Sequence, residues 1–126
     1  MIDRRVRYLQ LAFNDDLATA VRIVGQLPRE ERILIEAGTP FIKREGMRGL
    51  NALSAVWPHG IVADLKTTDG GAEEVEMVAL AGATAATVMG SCPPETLNRF
   101  IAACADWELD SLIDMLGVSD PLAVMR

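Results

Sequence analysis

Two charged side chains interrupt the most apolar strand that the sequence predicts, and their types could do chemistry. Residues 61–66 read Ile-Val-Ala-Asp-Leu-Lys, a pattern typical of a strand buried in a parallel sheet until Asp64 and Lys66 appear. Because alternate residues of a strand point to the same side, we expect both side chains to project together. A buried charge without a partner is costly. This acid and this base must therefore pair with each other, with a metal ion or with a ligand.

The rest of the chain predicts the elements that position this pair. Segments with strand and helix periodicity alternate, and the short connections between them predict about five βα units with parallel strands. Thr39 is the predicted N-cap of the second helix, with Pro40 at its first position. The predicted strands cover residues 8–13, 33–36, 61–66, 85–89 and 109–116, and the helices cover 17–27, 40–57, 72–81, 95–105 and a first turn at 120–126.

Polar side chains occur at the predicted carboxyl ends of several strands. Asn14 follows strand one, Glu36 ends strand two, and Asp114 lies on strand five, in addition to the pair on strand three. In parallel α/β sheets these ends meet at one rim, where functional groups lie. Taken singly, Asn14 could cap a helix, Glu36 could pair with a neighbouring Lys or Arg, and Asp114 could be a solvated acid. Together they indicate either a site, or the remnant of one, or a structural network of ion pairs.

Length and composition narrow the class of protein. The chain has 126 residues, half of them hydrophobic, which predicts a single domain over residues 1–126 with a substantial core. The net charge of −6 argues against nucleic acid as a partner. No apolar run is long enough to span a bilayer, and the first residues lack the apolar core of a signal peptide. We therefore expect no membrane association and a cytoplasmic protein.

The charged strand and the turn after it resemble a known suprafamily. Residues 64–69, Asp-Leu-Lys-Thr-Thr-Asp, match the Asp-x-Lys-x-x-Asp motif of the orotidine 5′-phosphate decarboxylase suprafamily. Residues 35–46 and 62–66 resemble its branch of 3-hexulose-6-phosphate synthases and 3-keto-L-gulonate-6-phosphate decarboxylases. The resemblance implies a TIM-type barrel. Such a barrel takes about 200–250 residues, so this chain corresponds to its N-terminal part, a partial (β/α) barrel.

The resemblance also implies a chemistry, the aldol addition of formaldehyde to ribulose 5-phosphate or its reversal. Glu36 and Asp64 would be the ligands of a Mg²⁺ ion that holds an enediolate, a role that suits hard carboxylate oxygens. Lys66 would add positive charge near the developing oxyanion. Asp64, Lys66 and Asp69 are accordingly the expected catalytic residues.

Two further roles and one departure follow from the same resemblance. Asp69 would reach across a two-fold dimer interface into the neighbouring site. Asn14 and Asp114 are the expected substrate-binding residues. Asn14 stands where the family usually carries Asp at the end of strand one, which removes a carboxylate from the network that orients Lys66.

A five-stranded piece of a barrel leaves two sheet edges and one apolar face uncovered. We expect oligomerisation, or another chain that supplies the missing strands, to complete or cover the sheet, and a sugar phosphate as the small-molecule partner. An open flavodoxin-like sheet and a fragment of a longer protein are the alternatives for the fold. For function, the first hypothesis is a lyase of the hexulose-phosphate synthase type that is active only when assembled. The alternative is a non-catalytic or regulatory half-barrel that binds a metal, a sugar phosphate or a partner chain.

Overall fold

The computed structural model describes residues 2–125, in which five strands alternate with five helices. The predicted order of elements is confirmed, and most boundaries agree to within a few residues. In chain order the elements are β1 (Leu9–Phe13), α1 (Leu17–Val24), β2 (Ile33–Ala37), α2 (Thr39–Val56), β3 (Ile61–Thr67), α3 (Gly71–Leu80), β4 (Ala85–Met89), α4 (Pro94–Asp106), β5 (Asp110–Asp114) and α5 (Pro121–Val124).

The strands form a single parallel sheet in the order β1-β2-β3-β4-β5. This sequential order is that of a TIM-type barrel, so the predicted partial barrel is confirmed. The flavodoxin-like alternative is wrong, because in that fold β1 lies between β2 and β3, whereas here β2 lies between β1 and β3. Right-handed crossovers that all advance the same way place every connecting helix on the same side of the sheet.

The two faces of the sheet are accordingly different. The face under α1 to α4 carries the main core, in which side chains such as Ile35, Ala63 and Val88 pack against the helices. The opposite face, here called the inner face, holds a small second cluster built on Leu34 and Val62. The remaining members of that cluster are Ala85, with Ile2, Tyr8 and Leu112 packed against it. The inner face therefore remains accessible for a site.

Helix α2 begins one residue earlier than the sequence indicated. Gly38 is its N-cap, so the prediction that Thr39 caps the helix is wrong, and the Thr39 hydroxyl is used elsewhere. Gly46, with φ of 61°, interrupts the helix with a kink. No helix among residues 2–125 is both long enough and apolar enough to cross a membrane.

Strand β5 ends at Asp114, two residues before the predicted end at Leu116. The chain turns there because the Asp114 carboxylate accepts a hydrogen bond from the Leu116 backbone N–H at 2.8 Å, and Gly117 adopts φ of 76°. The turn leaves Asp114 at the carboxyl end of its strand, the same end at which Asp64 and Lys66 lie.

Candidate functional site

The carboxyl end of β3 departs from regular strand geometry where its charges occur. Between the pairs Ala63–Ala86 and Thr67–Val88, β3 advances by four residues while β4 advances by two. Lys66 lies in this bulge with φ of 50°, a left-handed conformation that is uncommon for a residue with a side chain. Simple strand alternation predicted that Asp64 and Lys66 share a side. They do meet, but through a bulge that the sequence argument did not include.

Lys66 lies between two carboxylates on the inner face. Its Nζ is 3.1 Å from Asp64 Oδ1 and 2.6 Å from Asp114 Oδ2. Because β4 separates β3 from β5, the lysine side chain reaches over β4 to join the two carboxylates. The structure thus brings together three of the predicted site residues at one point.

Asp64 is the most buried charged residue of this group, with 8% of its surface exposed. Besides Lys66, two threonine hydroxyls form hydrogen bonds with its carboxylate. Thr87 Oγ1 donates to Asp64 Oδ1 at 2.9 Å, and Thr39 Oγ1 lies 2.8 Å from Oδ2. Neither threonine was predicted as part of the site. The only signal for Thr87 was a hydroxyl inside the apolar run 85–89.

The protonation states of Lys66 and Asp114 follow from these contacts. The hydrogen bond to Asp114 raises the pKa of Lys66. Burial acts in the opposite direction, and the contact with Asp64 adds to the increase, so the pKa is raised overall. The same bond lowers the pKa of Asp114, aided by the Leu116 N–H. Lys66 therefore stays an ammonium ion and Asp114 a carboxylate throughout the neutral range.

Glu36 lies on the neighbouring strand and on the same face. Glu36 pairs in register with Val62, and Asp64 lies two residues further along β3, on the same face of the sheet. Its carboxylate accepts a hydrogen bond from the Gln10 side-chain amide, and no Lys or Arg among residues 2–125 forms the ion pair with it that the structural alternative supposed. Glu36 is half-buried, so its carboxylate is accessible from the inner face.

The residues present fit the Mg²⁺ site that the resemblance implies, although they do not form a complete cage. Among residues 2–125 no group of three or more His, Cys, Asp or Glu side chains is arranged to hold a metal ion. Mg²⁺ commonly takes one or two protein carboxylates and fills its other positions with water and substrate oxygens. Glu36 and Asp64, on adjacent strands of one face, are a donor set of that kind.

Two predicted site residues lie apart from the charged group formed by Asp64, Lys66 and Asp114. Asn14 is exposed after β1, where its Oδ1 lies against Gly38, and the cap of α1 is Asp16 rather than Asn14. Asp69 is exposed in the loop after β3, where its carboxylate accepts a hydrogen bond from the Gly70 N–H at 2.8 Å. The roles assigned to both residues remain predictions.

The sequence comparisons find one family and a group of similar enzymes. The model of the orotidine 5′-phosphate decarboxylase / HUMPS family matches residues 7–126. A bifunctional enzyme Fae/Hps from Methanococcoides burtonii is 41% identical over 121 residues, which is 94% of this chain and 31% of that enzyme. A protein of the same name from Methanosphaera stadtmanae is 40% identical over 115 residues, 90% of this chain and 28% of that protein.

The structural comparisons agree with this grouping. A 3-hexulose-6-phosphate synthase from Salmonella typhimurium has a TM-score of 0.88 and 32% identity, covering 94% of this chain and 57% of that one. A 3-keto-L-gulonate-6-phosphate decarboxylase from Vibrio cholerae has a TM-score of 0.82 and 28% identity, covering 92% of this chain and 55% of that one. The chain thus spans just over half of these solved relatives and about a third of the curated ones.

Proposed function

Because this chain belongs to the orotidine 5′-phosphate decarboxylase / HUMPS family, we propose that its inner-face site is that of an aldehyde-lyase acting on ribulose 5-phosphate and formaldehyde. The observation that carries the proposal is the position of Lys66, held between Asp64 and Asp114 at the carboxyl end of the sheet. A bifunctional enzyme Fae/Hps and a 3-hexulose-6-phosphate synthase share 41% and 32% of their aligned residues with this chain, which supports the choice of reaction.

In this reaction a base removes a proton from C1 of ribulose 5-phosphate, and the electron pair moves toward the C2 carbonyl oxygen. The resulting enediolate attacks formaldehyde. A bond forms between C1 and the formaldehyde carbon, and the former formaldehyde oxygen takes up a proton. The difficult point is the negative charge that develops on the sugar oxygens. A fixed positive charge placed beside those oxygens lowers the barrier.

Lys66 is suited to supply that charge. Its raised pKa keeps the ammonium protonated, and the two carboxylates fix its position, so little reorganisation is needed when charge develops. Asp64 is held in turn by Thr39 and Thr87. Glu36 and Asp64 would hold Mg²⁺, which when bound supplies a Lewis acid for the same sugar oxygens.

We also propose that activity requires further strands beside β1 and β5, whether they continue this polypeptide or come from a second copy or a different chain. Three observations support this part of the proposal. The two strands are the edges of the sheet, the apolar cluster on the inner face contains no helical residue among residues 2–125, and the chain covers 57% of the Salmonella synthase. Barrel phosphate sites lie after the last strands, so the added part would bind the sugar phosphate. Asp69, exposed in the loop after β3, would act in a neighbouring copy.

The test is to follow formaldehyde loss with the chain, Mg²⁺ and ribulose 5-phosphate, at increasing protein concentration. We expect turnover that rises more steeply than the concentration, and a loss of about 100-fold or more in Asp64→Asn and Lys66→Ala, whose charges the mechanism uses. Asp3→Asn is the matched control, because that carboxylate pairs with exposed Arg5 and lies near Gly60, Thr84 and Asp110, at the amino ends of the strands and thus opposite Lys66. Absence of turnover in every state of assembly would refute the lyase and leave a binding role for the site.

A further inference from the structure

The bulge in β3 leaves one backbone donor without its usual partner. Between Ala63 and Thr67, β3 has two more residues than the facing stretch of β4, so the ladder cannot pair every backbone group of this stretch with the backbone of β4. Instead, the Lys66 N–H donates to the side-chain oxygen of Thr87 at 2.9 Å. A side chain on β4 thus replaces a backbone acceptor.

The same hydroxyl also donates a hydrogen bond to the Asp64 carboxylate. A threonine hydroxyl has one proton to donate and lone pairs to accept, and Thr87 uses both: it accepts from Lys66 N and donates to Asp64 Oδ1. It is 8% exposed, so water cannot readily replace it. One atom therefore links the backbone of the lysine to the carboxylate that the lysine side chain contacts.

We propose that Thr87 is the positioning residue of the site, which holds Lys66 in its left-handed conformation and keeps its ammonium group between Asp64 and Asp114. The left-handed conformation of a residue with a side chain persists only where the surroundings impose it, and Thr87 supplies that constraint. Without the hydroxyl the Lys66 N–H loses its acceptor. The bulge then relaxes toward a regular strand, and the ammonium group moves from the point where charge develops.

The catalytic part of this inference rests on the proposed lyase function, but its structural part does not. The experiment therefore has two readouts, hydrogen exchange of the Lys66 amide followed by NMR and the kinetics of formaldehyde addition. Thr87→Val removes the hydroxyl at constant shape, and Thr87→Ser restores it. Thr84→Val is the matched control, because the Thr84 hydroxyl also bonds to backbone, to Ile61 N at 2.9 Å, at the opposite end of β4.

In Thr87→Val we expect Lys66 amide exchange to accelerate by about tenfold or more, kcat to fall by about 10- to 100-fold and KM to change little. Thr87→Ser should behave as the wild type, and Thr84→Val should leave both readouts unchanged. If Thr87→Val does not fold, Thr87→Ala provides the same test, because it removes the hydroxyl without placing a γ-methyl group in its position.

Unchanged Lys66 exchange in a folded Thr87→Val or Thr87→Ala protein would overturn the inference, whatever the kinetics show. Equal loss of kcat in the Thr84 and Thr87 variants would overturn it as well, since general destabilisation would then explain the effect. A wild-type protein without turnover would instead refute the lyase function, and the exchange readout would still decide the role of Thr87.

Discussion

Replacing Asp64 by Ala should destabilise the protein by about 2–3 kcal/mol, because the change removes a mostly buried carboxylate that accepts hydrogen bonds from Thr39, Lys66 and Thr87. The three side chains that donate hydrogen bonds to Asp64 contribute differently to this loss of stability. Thr39 can turn to the Asp64 backbone carbonyl, also 2.8 Å away, and so loses little. Lys66 keeps Asp114 at 2.6 Å and is about a third exposed, which limits its loss to about 1 kcal/mol. Thr87 still accepts from the Lys66 N–H, but its buried O–H is left without an acceptor, at a cost of about 1–2 kcal/mol.

Asp64→Asn should cost less, about 1 kcal/mol, because the amide oxygen can still accept from Lys66 and Thr87. The assay is equilibrium unfolding in urea, comparing midpoints at equal slopes for both variants. Asp3→Ala, which breaks an exposed ion pair with Arg5, provides a control that should match the wild type. Equal midpoints for Asp64→Ala and the wild type would refute the reasoning, as would an Asn variant as unstable as the Ala variant.

Two further predictions concern stability. Hydrogen bonding to Lys66 depresses the pKa of Asp114 in the folded state, so its contribution is present above about pH 4 and is lost as the pH falls through the depressed value. The raised pKa of Lys66 makes the lysine contribution complete below about pH 10 and lost as the pH rises through the raised value. The urea midpoints of wild type and Asp114→Asn should therefore differ most between these limits, and the difference should shrink as the pH falls below about 4 toward the depressed pKa of Asp114. A difference that stays constant as the pH falls below about 4 would contradict the assignment. Gly38→Ala should cost about 1–3 kcal/mol, because a Cβ there would lie 2.0 Å from Asn14 Oδ1 and 3.0 Å from the Phe13 carbonyl oxygen. Thermal melts should show part of this loss restored by Asn14→Ala, and no restoration would exclude Asn14 as the obstacle.

The fold was predictable because its signals are local. Alternating strand and helix periods with short connections specify parallel βα units, and the charges on residues 64 and 66 identify the functional end of the sheet. Asp114 could be placed at that end because β5 was recognised as a strand. In these respects residues close in sequence determine the outcome.

The finer structure of the site was not predictable because it depends on pairing between strands. The bulge at Lys66 exists only relative to β4, and no local residue pattern marks it. Thr87 resembles an ordinary strand residue and Thr39 an ordinary helix cap, until β3 brings Asp64 beside both hydroxyls. The hydrogen bond between Gln10 and Glu36 likewise joins residues of different strands.

Deuterium incorporation at C1 of ribulose 5-phosphate tests the central claim most directly, because it reports proton removal without requiring formaldehyde. The chain would be incubated with Mg²⁺ and the sugar phosphate in D2O, with NMR for exchange and light scattering for the mass of the protein. We expect exchange above the buffer rate in assembled protein and no such exchange in Lys66→Ala. Exchange at the buffer rate in every state of assembly, or equal exchange in wild type and Lys66→Ala, would contradict the account.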